Sequence, residues 1–269
     1  MLRLTIALIF AAILAACSTA SVTNSAQPAA VAALAPNGKL RAAINFGNPI
    51  LATKDAATGE ARGVSVDLAR ELARRLGVPV ELVLFDAAGK VVEALKSDAW
   101  DVAFVAIDPA RAVDMDYSAP YVVIEGAYVV PQGSPIRSNS DVDRDGVRVV
   151  VGAGSAYDLY LSRELKKAQI VRVPTSPAVV DALVAQKLEV AAGVKQQLEA
   201  DAKRIPGLRL LEGHFMVINQ AMAMPKGRGA GARYLAEFVE EMKASGFVAS
   251  ALRRHAIEGA AVAPPAIRQ

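Results

Sequence analysis

Apolar and polar positions along this chain follow two rhythms. Short apolar runs at 39–45, 80–85, 102–106, 122–131, 147–151, 170–173, 188–194 and 214–224 have the length and β-branched content of strands. Between them apolar residues recur every three or four positions, as in Leu68, Leu72 and Leu76, or Val180, Leu183 and Val184. That spacing predicts helices with one buried stripe. Further helices are expected over 89–97, from Ala156 through Leu165, across Tyr234, Leu235, Phe238, Val239 and Met242, and over 247–256. Ser65 is placed to cap the first long helix, and Gly77 with Pro79 to end it. Strand and helix alternate, so the fold class is α/β, with parallel pairing and right-handed crossovers.

A polar, turn-rich stretch at 132–146 interrupts this alternation and divides it into two halves. The ends read differently. Residues 4–16 are apolar, too short to span a bilayer and of the length of an export-signal core. Leu14-Ala15-Ala16-Cys17 looks like a lipobox, which makes 1–17 a lipoprotein-type signal with Cys17 as the lipidated N-terminus; cleavage after Ala20 is the alternative. Cys17 is the single cysteine, so no internal disulfide exists. Residues 18–37, rich in Ala, Ser, Thr and Pro, read as a flexible tether outside the fold, and 259–269 as a frayed tail.

Hydrophobic residues make up 53% of the chain, enough for a substantial core. The 30 basic and 27 acidic residues are dispersed, with no basic tract, so nucleic-acid binding has no support. His214 and His255 lack metal-ligand spacing, and no cofactor or metal is expected.

The candidate chemistry centres on the run after the strand at 102–106. Asp108 is a plausible N-cap, Pro109 takes the favoured first helical position, and Arg111 falls in the first turn. A cation is thereby held past a strand's carboxyl end, where α/β sheets place ligands, and its planar fork matches a carboxylate. The alternative is that Arg111 pairs with Asp108 or Asp114. In the second half, Gly152-Ala153-Gly154-Ser155-Ala156-Tyr157 is a glycine-rich turn opening a helix, whose free amides suit an anion. The turn lacks a third glycine and a P-loop lysine, so it is no nucleotide fingerprint. Glu125 is a lone carboxylate in an apolar strand, which needs either solvent or a polar cleft. Asp67 reads as a helix-dipole partner and Trp100 as a core aromatic.

The run Asp101, Arg111 and Tyr117-Ser118-Ala119-Pro120-Tyr121 resembles the hallmark of family 3 of the bacterial extracellular solute-binding proteins, with Asp108 where the family usually has Thr. Gly63-Val64-Ser65-Val66-Asp67-Leu68 is similar to a second family signature. The resemblance implies a two-lobed periplasmic-binding-protein (type II) fold with two hinge-crossing strands, near Tyr128 to Pro131 and near Asn219 to Ala221. Lobe 1 would comprise 38–130 and 220–258, and lobe 2 131–219. It implies a periplasmic receptor of an ABC importer for an amino acid or related small carboxylated solute. Its partners would be that solute and an ABC permease, with membrane contact only through the N-terminal lipid, and the protein would be a monomer. The ligand-binding set it implies is Phe46, Asn48, Ala106, Asp108, Arg111, Glu125, Gly154, Ser155, Ala156 and Tyr157.

Val194 stands where the family often has an acid for the solute's ammonium. Either Asp108 or Glu125 takes over that role, or the solute lacks an α-amino group; the first is favoured, because two carboxylates beside one arginine leave an excess of negative charge. A periplasmic dehydratase-like enzyme and a sensor lipoprotein of the same fold are the alternative functions.

Overall fold

The computed structural model describes residues 28–267, so the predicted signal, Cys17 and the first part of the tether lie outside the described residues. In the first half the chain forms α1 (Pro28–Leu34), β1 (Leu40–Asn45), the small hairpin β2 (Thr53–Lys54) and β3 (Ala61–Arg62), α2 (Val64–Leu76), β4 (Val80–Phe85), α3 (Ala88–Ala94), β5 (Val102–Ala106) and β6 (Met115–Pro131). After a short 3-10 turn come β7 (Arg148–Gly152), α4 (Ala156–Glu164), β8 (Gln169–Val173), α5 (Val179–Ala185), β9 (Val190–Val194), α6 (Lys195–Arg204) and β10 (Leu208–Leu210). The chain returns through β11 (Met216–Pro225), α7 (Gly229–Ala244), α8 (Phe247–Arg254) and β12 (Ala261–Val262). None of the described helices is long and apolar enough to cross a membrane.

One ten-stranded sheet runs in the order β4-β1-β5-β11-β6-β9-β7-β8, with β10 and β12 also paired to β6. β1 lies parallel to β4 and β5, and β7 parallel to β8 and β9, so each lobe has a parallel three-stranded heart. The antiparallel pair β6 and β11 joins them. This is the two-lobed type II architecture. Along β6 the neighbours change at Gly126, which is opposite Met216 of β11 on one side and Val194 of β9 on the other. The exchange on β6 thus comes before the Tyr128 to Pro131 crossing read from the sequence. A Cβ at Gly126 would sit 2.7 Å from the Met216 side chain, which is why this crowded crossing takes glycine.

The apolar stripes become cores as their spacing predicts: Leu68 and Leu72 of α2 are fully buried with Leu40 and Ile44 of β1, while Val150, Leu183 and Leu198 pack in lobe 2. Trp100 is fully buried and its indole N–H donates to the Val91 carbonyl at 2.8 Å.

Several expectations are corrected. Residues 28–34 of the supposed tether are helical. Pro28 takes the first position, alanine favours helix, and the buried Ala30 and Leu34, four residues apart, form an apolar edge on α7. Gly231 of α7 admits this packing, since a Cβ there would lie 3.0 Å from Ala33 Cβ. The tail from Gly259 is likewise tied down: Ala261 and Val262 pair with Val123 and Val122, and buried Ala263 donates to the Tyr121 carbonyl. Ser65 does not cap α2; Gly63 holds the N-cap position at φ 127°, and the Ser65 hydroxyl meets the Tyr121 phenol at 3.3 Å. β6 begins at Met115, ahead of the expected 122, because register shifts between Gln220 and Ala223 accommodate Pro120, which has no N–H to donate.

Candidate functional site

No helix follows Asp108. Instead the chain makes a tight set of turns, in which the Asp108 carbonyl accepts from the amides of Arg111 and Ala112, and its carboxylate accepts from the Ala110 amide at 2.9 Å. This folds Arg111 back beneath the end of β5. One terminal nitrogen of its guanidinium donates to the Ala106 carbonyl at 2.9 Å, and the other crosses to lobe 2 and donates to the Gly154 carbonyl at 2.7 Å. Arg111 is only 3% exposed, and its Nε has no partner. Burial lowers the pKa of the guanidinium, against the opposing influence of Tyr117 and Asp108, yet arginine stays charged at any physiological pH. Among the described residues no carboxylate comes within ion-pair distance of it. The direct hydrogen bonds of this buried cation therefore go to neutral carbonyls.

Asp108 does not serve Arg111. It is 3% exposed and pairs across the lobes with Arg163 of α4, Nη2 to Oδ2 at 2.9 Å. Glu125 is half-exposed on β6, bonded to Lys195 Nζ at 2.8 Å and His214 Nδ1 at 3.0 Å. The hydrogen bond from Lys195 in particular holds its carboxyl below the usual range.

The glycine-rich turn of lobe 2 also differs from the expected anion nest. The Gly154 amide is taken by the Asp158 carboxylate at 2.8 Å, and the Ser155 hydroxyl caps α4 by accepting from the Asp158 amide at 3.0 Å. What Gly154 offers lobe 1 is its carbonyl. Its φ is +68°, and a Cβ there would lie 2.7 Å from Gly89 Cα, so the lobes meet backbone against backbone.

Behind this contact lies a cavity of about 30 Å³, room for a few water molecules at most. Of the predicted residues, Asn48, Ala106, Arg111, Ser155, Ala156 and Tyr157 line it. Phe46 does not: it packs on the lobe 1 core with Lys54 5.6 Å above its ring. Neither Glu125 nor Asp108 lines it, and Gly154 lines instead a groove of about 1110 Å³ on the other side of Arg111. Residues not singled out from the sequence complete the inner cavity: Asn45, Gly47, Ala88, Ser176, Ile218 and Gln220, together with Val194. Asn45 ends β1, Gly47 follows it and Ala88 opens α3 just past β4, so all three could have been found from the rule that located Arg111; Ile218 of β11 carries no local signal, and Gln220 falls in the Asn219 to Ala221 crossing, where nothing local marks it as facing a site. The Asn48 side-chain oxygen is buried there without a partner.

The model of the bacterial extracellular solute-binding proteins, family 3, matches residues 40–256. No curated protein matches the chain. Among solved structures, a solute receptor for L-cysteine of Neisseria gonorrhoeae is 24% identical with a TM-score of 0.74, over 85% of this chain and 94% of that one. A mutant ArgBP from T. maritima is 22% identical with a TM-score of 0.73, over 85% and 100%. An ancestral amino acid-binding protein, a precursor of cyclohexadienyl dehydratase, is 22% identical with a TM-score of 0.71, over 83% and 98%. These likenesses establish the shared fold.

Proposed function

Because the chain belongs to family 3 of the bacterial extracellular solute-binding proteins, we propose that it is the extracytoplasmic receptor of an ABC importer and takes an amino acid or related small carboxylated solute between its lobes. The observation that carries this reading is Arg111, a buried guanidinium with an unpartnered Nε and, among the described residues, no carboxylate hydrogen-bonded to it. A carboxylate supplies the missing charge and accepts in the planar fork geometry for which arginine is suited. Asn48, Ser155, Ala156 and Tyr157 belong to the same site under this reading. Entry requires the lobes to part, since the inner cavity of about 30 Å³ is smaller than any such solute. Export and lipidation at Cys17, and a permease as partner, are parts of the same proposal.

The dehydratase-like alternative draws less support. A general acid needs a carboxyl whose pKa is raised, whereas Glu125 is shifted down and lies outside the cavity. Asp108 is engaged by Arg163.

Thermal unfolding with a panel of small carboxylates tests the receptor reading. A bound solute at about 100 times its Kd adds roughly 2.7 kcal/mol, or about 5 to 10 °C for a chain of this size. Arg111→Ala should lose that shift. A variant that keeps the full shift removes Arg111 from the site.

A further inference from the structure

We infer that the site selects a carboxylate without an α-amino group, a 2-hydroxy or 2-oxo acid rather than an amino acid. The inference rests on the carboxylate reading of Arg111 given above and concerns what the rest of the cavity accepts.

Among the described residues, Arg111 is the only charged one lining the inner cavity. Every other polar side chain there is uncharged: Asn45, Asn48, Ser155, Tyr157, Ser176 and Gln220. The site thus carries a formal charge of one positive unit and no acid. The two carboxylates that could have changed this are occupied elsewhere. Asp108 is buried against Arg163 and faces neither cavity, and Glu125 is shared between Lys195 and His214 at the lobe junction. The larger groove on the other side of Arg111 does contain Glu93 and Asp114, but Lys90, Lys96 and Lys226 line it as well and outnumber them. Neither space beside Arg111 has negative charge to spare.

An amino acid would place its carboxylate on Arg111 and carry an ammonium into a cavity where the side chain of Val194 has only methyl groups to offer. A buried ammonium without an ionic partner is strongly unfavourable, because neutral acceptors replace only part of its hydration. A hydroxyl or carbonyl in the same place needs no counter-charge. The unpartnered Asn48 oxygen, itself buried, is an acceptor for a hydroxyl, and the serine and glutamine side chains can donate to a carbonyl. The charge of a monocarboxylate also cancels that of Arg111, leaving the closed cleft neutral.

The test is calorimetric titration of the full mature chain with three matched sets of three: alanine, lactate and pyruvate; valine, 2-hydroxyisovalerate and 2-oxoisovalerate; phenylalanine, phenyllactate and phenylpyruvate. The deaminated member of at least one set should bind at least about tenfold more tightly, a difference of about 1.4 kcal/mol. Val194→Asp or, should that variant fail to fold, Asn48→Asp places an acid in the cavity and should shift the ratio toward the amino acid by a similar factor. Amino acids binding as well as or better than their analogues to the wild-type protein would overturn the inference while leaving the Arg111 anchor standing. Binding of neither series would overturn the carboxylate reading itself, and the inference with it. An acid introduced at Val194, or at Asn48 in its place, without effect on the ratio would also overturn it.

Discussion

Arg163 of lobe 2 reaches across to Asp108 of lobe 1 and closes a two-point contact, with Nη2 at 2.9 Å from Oδ2 and Nη1 at 3.4 Å from Oδ1. The carboxylate is buried and the arginine half-exposed, so the pair is worth more than a free surface pair but is still screened. Together with the bond from Arg111 to Gly154, it fastens the lobes through the protein's own groups. Arg163→Ala should release one fastening, and scattering of the ligand-free protein should show a larger radius of gyration. A double-mutant cycle with Asp108→Asn should give a coupling on the order of 1 kcal/mol. An unchanged radius with no coupling would remove the pair from lobe closure.

Gly89 gives a prediction with two opposite signs. It lies in α3, where alanine is favoured over glycine by up to about 1 kcal/mol, so in the Arg163→Ala background, where the lobes are freer to part, Gly89→Ala should raise the melting temperature without solute. In the closed arrangement the new Cβ meets the Ala153 carbonyl at 3.2 Å and Gly154 Cα at 3.3 Å. Solute affinity should fall severalfold. Stability and affinity moving in the same direction would count against backbone contact as the closing surface.

The fold's response to acid can be followed at Glu71. Hydrogen bonding to Arg74 first, and then to Arg75, brings its carboxyl from 4.5 to about 2 against the opposing effect of burial. The folded pKa is depressed, so the stabilisation is complete above about 4.5 and is lost as the pH falls toward 2. Arg74 is largely exposed, and screening reduces the contribution to the order of 1 kcal/mol. Urea midpoints of wild type and Glu71→Gln should differ at pH 7 and converge toward pH 2. A constant difference would indicate that packing, not charge, is what the substitution removes.

Leu34 tests whether α1 is part of the fold. It is fully buried, and the Arg228 guanidinium donates to the adjacent Ala33 carbonyl at 3.3 Å. Leu34→Ala should cost about 2 to 4 kcal/mol and lower the melting temperature by several degrees, with solute affinity unchanged. A loss below about 0.5 kcal/mol would return this segment to the status of a tether.

What was legible in the sequence follows from how local each signal is. The strands of both lobes and the stripe Leu68, Leu72 and Leu76 are written in nearest-neighbour periodicity and appear as expected. Helix α6 was missed because Lys195–Arg204 is polar throughout except for Leu198 and two alanines, and no stripe marks it. At the site, the short distance along the chain from Ala106 to Arg111 made the cation legible. Its second partner, Gly154, is 43 residues away, and only the closed fold brings its carbonyl there. Asp108 misled for the same reason: its partner Arg163 is 55 residues distant, and without it the carboxylate looked available to a ligand.

The position of β11 between β5 and β6 has a consequence for the order in which the chain can assemble. Lobe 2 draws β7, β8 and β9 from one continuous stretch, so all of its parallel strands are present once residue 194 has emerged. Lobe 1 is topologically open until much later, because β5 and β6 are separated by a strand that begins only at Met216. The lobe that begins the chain is therefore the last whose sheet can be completed. A chain cut short before Met216 would retain the strands of lobe 2 but leave Arg111 at the margin of an unfinished sheet, with the slot for Ile218 and Gln220 unfilled.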